Sequence, residues 1–446
     1  MNKKVALATM GCRANQYDSA AMAGILRREG WDMVPFDSFA DAYVINTCTV
    51  TNKADAEART LIRRAHRRNP EANILVTGCY AQTDPKALAG VEGVSFILGN
   101  DQKGSLLDYL NQTQPLVPQI VVHDLFKEEE IFTADFHSFA ERSRAYLKIQ
   151  DGCNQMCSYC VIPFARGKNR SLTPEKAVNE LRRLSEEGFE ECVLTGIHIG
   201  TYGRDLDPAS TLLDLMRRIE DEGPIHRVRL SSIDPEEVSE EMVDFLSRSK
   251  VFCHYLHIPV QSADDHILKL MRRRYSSAEF KRLAFRLKDE MPDICLGTDV
   301  MVGFPYEDEG RFESSLSLLE ETPIDYLHVF PYSAKKRTRA ASFLHQVSAP
   351  EKKERARRMR ELSHRKREGF YRSSLGTEVE LILEEAQGEE IPDYRKGISR
   401  NYIPVHLPLK DLPPSFSPLR KERGGRVLSR IHRYDGGIVF GEVIKG

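Results

Sequence analysis

No long apolar run occurs anywhere in the 446 residues, which excludes a helical membrane protein. Neither sign of charge dominates. Lys and Arg number 64 against 66 Asp and Glu, a formal charge of -2, so any nucleic-acid partner has to be met by local basic patches. A disulfide framework is missing too. Nine cysteines is an odd number, in a chain far longer than the small secreted scaffolds that depend on such bonds. The apolar run Val5–Met10 follows Lys3 and Lys4, is too short for a signal peptide and meets Arg13; it reads as a first β-strand. With 41% hydrophobic and 29% charged residues the chain is expected to be soluble and globular, with about three domains by the usual domain size. A reducing cytoplasm is the expected location, since thiolates persist there.

A fourth cysteine is also absent where it would be expected. Cys153, Cys157 and Cys160 form a C-x3-C-x2-C loop, and the next cysteine is Cys192, beyond a predicted helix. Three thiolates hold three irons of a [4Fe–4S] cluster, and a closed cluster takes four. The fourth iron is then open to a substrate, which makes the loop a reaction centre. Structural zinc would require a closed set of four ligands, and the nearest upstream histidine, His137, lies in another segment.

Periodicity predicts alternating strands and helices over residues 1–122: strands at 5–10, 42–46 and 74–77, helices at 18–29 and 54–68, and a helix after Asp84-Pro85. That order implies a parallel sheet covered by helices. Cys12, Cys48 and Cys79 each fall just past a predicted strand, where such sheets bind ligands. They read either as three buried core cysteines or, from their equivalent positions, as a second cluster site. Residues 123–142 read as a connector. Six βα units follow within 143–372, an open or partial (β/α)6 barrel with chemistry at its C-terminal rim. Its expected elements include a helix at 236–247 and a strand at 252–258. A basic helix closes this part over 350–372, read first as a solvated face. Residues 373–446 carry short strands at 379–383, 402–406, 427–431 and 437–443, a small β-barrel. The stretch 408–425 reads as a loop whose Arg420, Lys421 and Arg423 are available to phosphate.

An open iron beside such a rim suits S-adenosyl-L-methionine, whose amino and carboxylate groups chelate it. Thr195 and Gly196 end the next strand, where glycine admits backbone to the methionine amino group. Ser231, Ser232 and Gln261 end later strands and are placed to face the adenosine. His198 is either a cofactor contact or a loop histidine without a role. Cys192, Cys253 and Cys295 sit in apolar strands and read as core.

The segments Met10 to Tyr17, Asn46 to Thr51, Thr77 to Gln82, the cysteine loop with Pro163 and Arg166-Gly167, His257 to Ser262 and Asp299 to Pro305 together resemble the methylthiotransferase group of radical S-adenosylmethionine enzymes over nearly the whole chain. The resemblance implies an N-terminal methylthiotransferase domain of parallel α/β type, a radical barrel and a C-terminal antiparallel β-barrel (TRAM) that binds RNA. It implies that Cys12, Cys48 and Cys79 hold an auxiliary [4Fe–4S] cluster, and that Cys153, Cys157 and Cys160 hold the catalytic one. Asn52 to Asp55, Thr195 to His198 and Ser231 to Ile233 look most like the branch that acts on N6-threonylcarbamoyladenosine in tRNA, beside the anticodon. The neighbouring branches act on isopentenyladenosine in tRNA or on a ribosomal-protein aspartate. The implied reaction spends one S-adenosyl-L-methionine on methylating cluster-borne sulfur and a second on a 5′-deoxyadenosyl radical that removes the hydrogen at adenine C2. A reducing partner such as flavodoxin or ferredoxin, a sulfur donor and the tRNA anticodon stem-loop are the partners implied, and no membrane. Tyr402 and His406 are candidates for stacking on RNA or for core packing, and the basic helix and Arg272 to Tyr275 give weak support to RNA. Two places depart from the group's pattern. Tyr306 follows Pro305 where glycine is usual, and Arg337 and Arg339 stand where glycine and proline are usual.

Overall fold

The computed structural model describes residues 2–133, 143–384, 391–412 and 425–444. The first part is a six-stranded sheet of β1 (Lys4–Thr9), β2 (Asp32–Val34), β3 (Ala42–Thr47), β4 (Asn73–Gly78), β5 (Phe96–Leu98) and β6 (Gln119–Val121). The order is β2-β1-β3-β4-β5-β6 and every pairing is parallel. Strands β3 and β4 are buried along their whole length, as expected of a sheet covered on both faces. The covering helices are α1 (Arg13–Arg28), α2 (Asn52–Arg68), α3 (Cys79–Thr83), α4 (Pro85–Ala89) and α5 (Leu106–Leu110). Helix α1 starts five residues before its predicted start, with Cys12 as its N-cap. Thr51 caps α2 by accepting from the Ala54 N–H.

The second part runs β7 (Arg144–Lys148), β8 (Gln150–Asp151), α6 (Ile162–Arg166), β9 (Arg170–Ser171), α7 (Pro174–Glu186), β10 (Glu191–Thr195), α8 (Leu212–Glu222), β11 (Arg227–Leu230), α9 (Glu240–Arg248), β12 (Tyr255–His257), α10 (Asp265–Met271), α11 (Ser277–Glu290), β13 (Cys295–Val302), α12 (Glu309–Glu321), β14 (Tyr326–Pro331) and α13 (Ala349–Ser373). Parallel triplets β7-β10-β11 and β12-β13-β14 are joined by a bridge between Val228 and Phe252. The result is a six-strand arc, the partial (β/α)6 barrel. One large apolar cluster fills it, and Cys192 is buried within that cluster. Cys253 and Cys295 are also buried.

Some elements differ from the sequence reading. The helix expected at 236–247 begins at Glu240, because Pro235–Glu237 forms a 3-10 turn and Ser239 supplies the cap. The strand expected at 252–258 is only Tyr255–His257. Helix α10 was not anticipated; Asp264 caps it by accepting from the Ile267 N–H. On the basic helix α13, Lys353, Arg357 and Arg360 are exposed, as a solvated face requires, but other cations are tied to neighbouring carboxylates. Arg355 is buried against Glu307, Arg358 pairs with Glu309 and Glu313, and Arg365 pairs with Glu320. Most of those partners lie on α12, so the charges fasten two helices together.

The last part is a closed barrel in the order β15-β16-β17-β19-β18, built from β15 (Glu378–Leu383), β16 (Tyr394–Ser399), β17 (Pro404–Pro408), β18 (Arg426–Asp435) and β19 (Ile438–Val443). Four of its pairings are antiparallel, and β17 runs parallel to β19. Strand β16 is polar at Arg395 and Lys396, so it has little apolar alternation to read. Arg420, Lys421 and Arg423 lie outside the described residues. The barrel is clamped to the arc by buried arginines. The Arg227 guanidinium donates to the Ile398 carbonyl at 2.8 Å, and that of Arg229 to the Arg400 carbonyl at 2.9 Å. Glu191 pairs with both, and their charges hold its carboxyl well below the usual range although burial alone would raise it. Among the described residues no helix is long and apolar enough to cross a membrane.

Candidate metal and cofactor site

Cys12, Cys48 and Cys79 follow β1, β3 and β4, three neighbouring strands, at their C-terminal ends. The topology therefore gathers residues that lie 31 or more positions apart in sequence. Asn15 ties the group together: its side-chain amide donates to the carbonyls of Met10 at 2.8 Å and Thr47 at 2.9 Å. Gly11 and Gly78 precede two of the cysteines with φ of +86° and +96°. A Cβ on Gly11 would lie 2.8 Å from the Cys48 sulfur, so the glycine permits that close approach. The Cys48 thiol is pushed up to about 12, first by burial and then by Cys79 and Cys12. Burial raises Cys12 as well, with Arg166 opposing it.

Cys153, Cys157 and Cys160 sit on the loop after β8. Gly152, at φ +75°, turns the chain into that loop, and a Cβ there would lie 1.8 Å from the Lys168 carbonyl oxygen. The Cys153 N–H donates to the Gly167 carbonyl at 3.0 Å. The Ser158 N–H donates to the Met271 carbonyl at 3.1 Å, which staples the loop to the end of α10. Burial raises Cys157, and Arg273 opposes that; burial pushes Cys160 up to about 12.

Two cationic side chains point at this second triplet. The Arg273 guanidinium lies 3.7 Å from the Cys157 sulfur and pairs with Asp234. His198 Nδ1 lies 3.6 Å from the Cys153 sulfur, and its Nε2 meets Glu237 at 2.9 Å and Asp234 at 3.4 Å. Burial lowers the His198 pKa, but the bonds to Asp234, Cys153 and Glu237 win and push it up to about 12. Arg273 was read from the sequence as part of an RNA-binding run; it is instead buried beside the cysteine loop. The available signal was Ile267, Leu268 and Met271 at helical spacing behind Asp264, which marks a helix ending just before Arg273.

A cavity of about 460 Å³ connects these parts. Cys12, Cys153, Cys157, Cys160, Thr195, Gly196, His198, Ser231, Ser232 and Gln261 all line it. Cys48 and Cys79 are buried and do not line it. Gly196 has a further reason to be glycine: a Cβ would meet the Gln150 Oε1 at 2.7 Å. Gln261 holds φ +62° because its N–H and carbonyl bridge to Asp299 and Met301 of β13. The buried Ser231 Oγ and Gln261 Oε1 have no hydrogen-bond partner among the described residues. Unpaired buried polar atoms at a cavity fit a polar ligand there. Two sets of three cysteines, one reaching the cavity through Cys12 and the other lining it whole, fit iron–sulfur clusters with an open position.

The cavity wall made by β12, β13 and β14 carries a different constellation. His257 Nε2 meets the Asp299 carboxylate at 3.0 Å, and His328 Nδ1 meets the same oxygen at 3.6 Å. The Tyr326 hydroxyl lies 2.8 Å from that of Tyr255 and 3.2 Å from His257 Nδ1. Burial would raise Asp299, but the two imidazoles hold it well below the usual carboxylate range. Tyr402 stacks on Tyr255 with ring centroids 4.6 Å apart and lies under Arg144 and Arg229, so it joins barrel to arc and is not free for RNA bases. His406 is half-buried on β17 against Phe440.

A second network binds the two α/β parts. Asp18 of α1 is fully buried and accepts from Lys103 at 2.5 Å, Lys148 at 2.5 Å and Arg166 at 3.0 Å. Asp151 pairs with Lys148 and Arg166 at 3.0 Å each. Burial pulls against ionisation of Asp18, but the three cations hold its carboxyl far below the ordinary range. Arg166 also donates to the Asn15 side chain, next to the first cysteine triplet.

Residues 4–99 match the family described as Uncharacterized protein family UPF0004, and residues 147–319 match the Radical SAM superfamily. The chain is 38% identical over 406 residues to the threonylcarbamoyladenosine tRNA methylthiotransferase MtaB of Bacillus subtilis (strain 168), covering 90% of this chain and 89% of that protein. It is 32% identical over 360 residues to the tRNA-2-methylthio-N(6)-dimethylallyladenosine synthase of Clostridium botulinum (strain Loch Maree / Type A3), covering 79% and 80%. In fold it is similar to the radical S-adenosylmethionine methyltransferase TsrM of Kitasatospora setae, at TM-score 0.53 and 15% identity over 74% of this chain and 75% of that one.

Proposed function

The chain belongs to the radical S-adenosylmethionine methylthiotransferase family, and from that premise we propose that it replaces the C2 hydrogen of N6-threonylcarbamoyladenosine in tRNA with a methylthio group. The observation that carries this reading is the shared cavity: Cys12 of one triplet and all three cysteines of the other line it. Two [4Fe–4S] clusters and S-adenosyl-L-methionine are the cofactors, and when bound they would carry the sulfur, supply the methyl group and pass on the electron that the exchange at carbon needs.

The chain's own residues hold and orient. Cys153, Cys157 and Cys160 are the ligands proposed for the catalytic cluster, and Cys12, Cys48 and Cys79 those for the auxiliary one. Thr195, Gly196, Ser231, Ser232 and Gln261 offer polar groups to S-adenosyl-L-methionine. His198 and Arg273 direct donors at two of the ligand sulfurs, with Asp234 fixing both. A flavodoxin or ferredoxin as reductant and a separate sulfur donor complete the proposed reaction, and the cytoplasm is the compartment that suits it.

The test is mass spectrometry of an anticodon stem-loop carrying N6-threonylcarbamoyladenosine after incubation with the reconstituted, reduced protein. A methylthio mass gain on that nucleoside is expected. A gain only on an isopentenyladenosine stem-loop, or only on a ribosomal-protein aspartate, would reassign the branch.

A further inference from the structure

Arg13 is the first residue of α1, directly after Cys12, and its half-buried side chain lines the shared cavity. The other charged groups lining that cavity settle among themselves. Arg273 pairs with Asp234, His198 with Asp234 and Glu237, and His257 and His328 with Asp299. No carboxylate among the described residues pairs with Arg13. Its titratable neighbours are the tyrosines Tyr255, Tyr402, Tyr146 and Tyr326. Neutral phenols cannot balance a guanidinium near pH 7, because they ionise only near pH 10. Among the described residues Arg13 is therefore a cation of this cavity that no carboxylate pairs. A guanidinium presents a planar fork that fits a carboxylate.

The two groups of relatives differ in what hangs from N6 of the adenosine. Dimethylallyl is a hydrocarbon; threonylcarbamoyl ends in an amino-acid carboxylate. We propose that Arg13 binds the carboxylate of the threonylcarbamoyl group and so selects this substrate against adenosines with an uncharged N6 substituent. The inference rests on the function proposed above. Tyr255, His257 and His328 line the same cavity and offer hydroxyl and imidazole groups to the rest of the arm.

The test compares anticodon stem-loops bearing threonylcarbamoyladenosine, its threoninamide analogue and dimethylallyladenosine, with affinities read by fluorescence anisotropy on the cluster-loaded protein. The natural chain is expected to prefer the acid over the amide by at least about tenfold, the scale of one hydrogen bond to a charged group. Arg13→Gln should erase that preference while holding the amide as before, and Arg13→Lys should keep part of it. Equal discrimination by the natural chain and Arg13→Gln would overturn the inference. So would equal weakening of all three RNAs by Arg13→Gln, which marks a phosphate contact, or weakened S-adenosyl-L-methionine binding without RNA, which marks a cofactor contact. Failure of the natural chain to methylthiolate the acid RNA would instead overturn the proposed function itself.

Discussion

The two cysteine triplets reach one cavity by opposite routes. The catalytic triplet spans eight consecutive positions, and a single loop delivers it. The amino-terminal triplet spans 68 positions and is assembled by the pairing of β1, β3 and β4. Local spacing fixes the first; the second exists only if the sheet is correctly registered. In both, a left-handed glycine precedes cysteine, at Gly11, Gly78 and Gly152, and in both a buried arginine sits beside the sulfurs. Arg273 comes from the same part of the chain as its triplet. Arg166 comes from the other part, so the auxiliary site is complete only when the two α/β parts are docked.

Replacing one cysteine in each triplet breaks the comparison most completely. Cys157→Ala should abolish formation of 5′-deoxyadenosine, measured by chromatography of the reduced, reconstituted protein. Cys48→Ala should leave that cleavage in place and stop methylthio insertion. Loss of cleavage in both variants would remove the proposed division of labour.

The next largest effect tests docking. Asp18→Asn leaves Lys103, Lys148 and Arg166 buried around a neutral group, and removing one member of such a network costs about 3–5 kcal/mol. Urea denaturation of the metal-free protein measures it. The sign with pH follows from a carboxyl depressed in the folded state. Its contribution is present above the unfolded carboxylate pKa of about 3.9 and is lost as pH falls below it, so natural chain and variant should converge in acid. A gap between them that widened in acid would mean that Asp18 is not the ionised partner.

How much of this was legible follows from the same contrast. The C-x3-C-x2-C spacing carries its chemistry in eight letters. The other triplet was legible only as three strand ends, and its clustering depended on strand order, which periodicity does not give. Thr195, Gly196, Ser231, Ser232 and Gln261 could be placed at the cavity because the ends of parallel strands share one rim. Arg273 was missed because α10 is a seven-residue helix, and its run of arginines resembles a phosphate-binding patch. Lys103, Lys148 and Arg166 look like surface cations in sequence; only three-dimensional convergence on Asp18 makes them core. The basic helix shows the same limit, since its glutamate partners sit mainly on a neighbouring helix.

A smaller effect separates the two arginines. Arg273 lies close enough to donate to a ligand sulfur, and donors to the sulfurs raise a cluster's potential. Arg273→Met, in a background lacking Cys12, Cys48 and Cys79, should lower the potential of the remaining cluster by roughly 50 mV, about a tenfold change for one electron. Potentiometric electron paramagnetic resonance reads it. An unchanged potential would reduce Arg273 to a structural partner of Asp234.

The smallest effect lies at the rim, where the chain departs from its family's usual residues. Tyr306 and Arg337 both hold φ of +71°, the conformation that glycine adopts freely. Both positions thus have a backbone suited to glycine, and each side chain finds a contact: Tyr306 against Phe343 and His345, Arg337 over Phe164 of α6 at 4.9 Å. Arg337→Gly should relieve the left-handed strain, at about 1 kcal/mol, and lose a cation–π contact of about 0.5–1 kcal/mol, besides loosening the unfolded chain. The net change in denaturation midpoint should be small, and the iron content of both triplets unchanged. Loss of iron at the catalytic triplet alone would show that the Arg337–Phe164 contact props α6 and, through it, the cysteine loop.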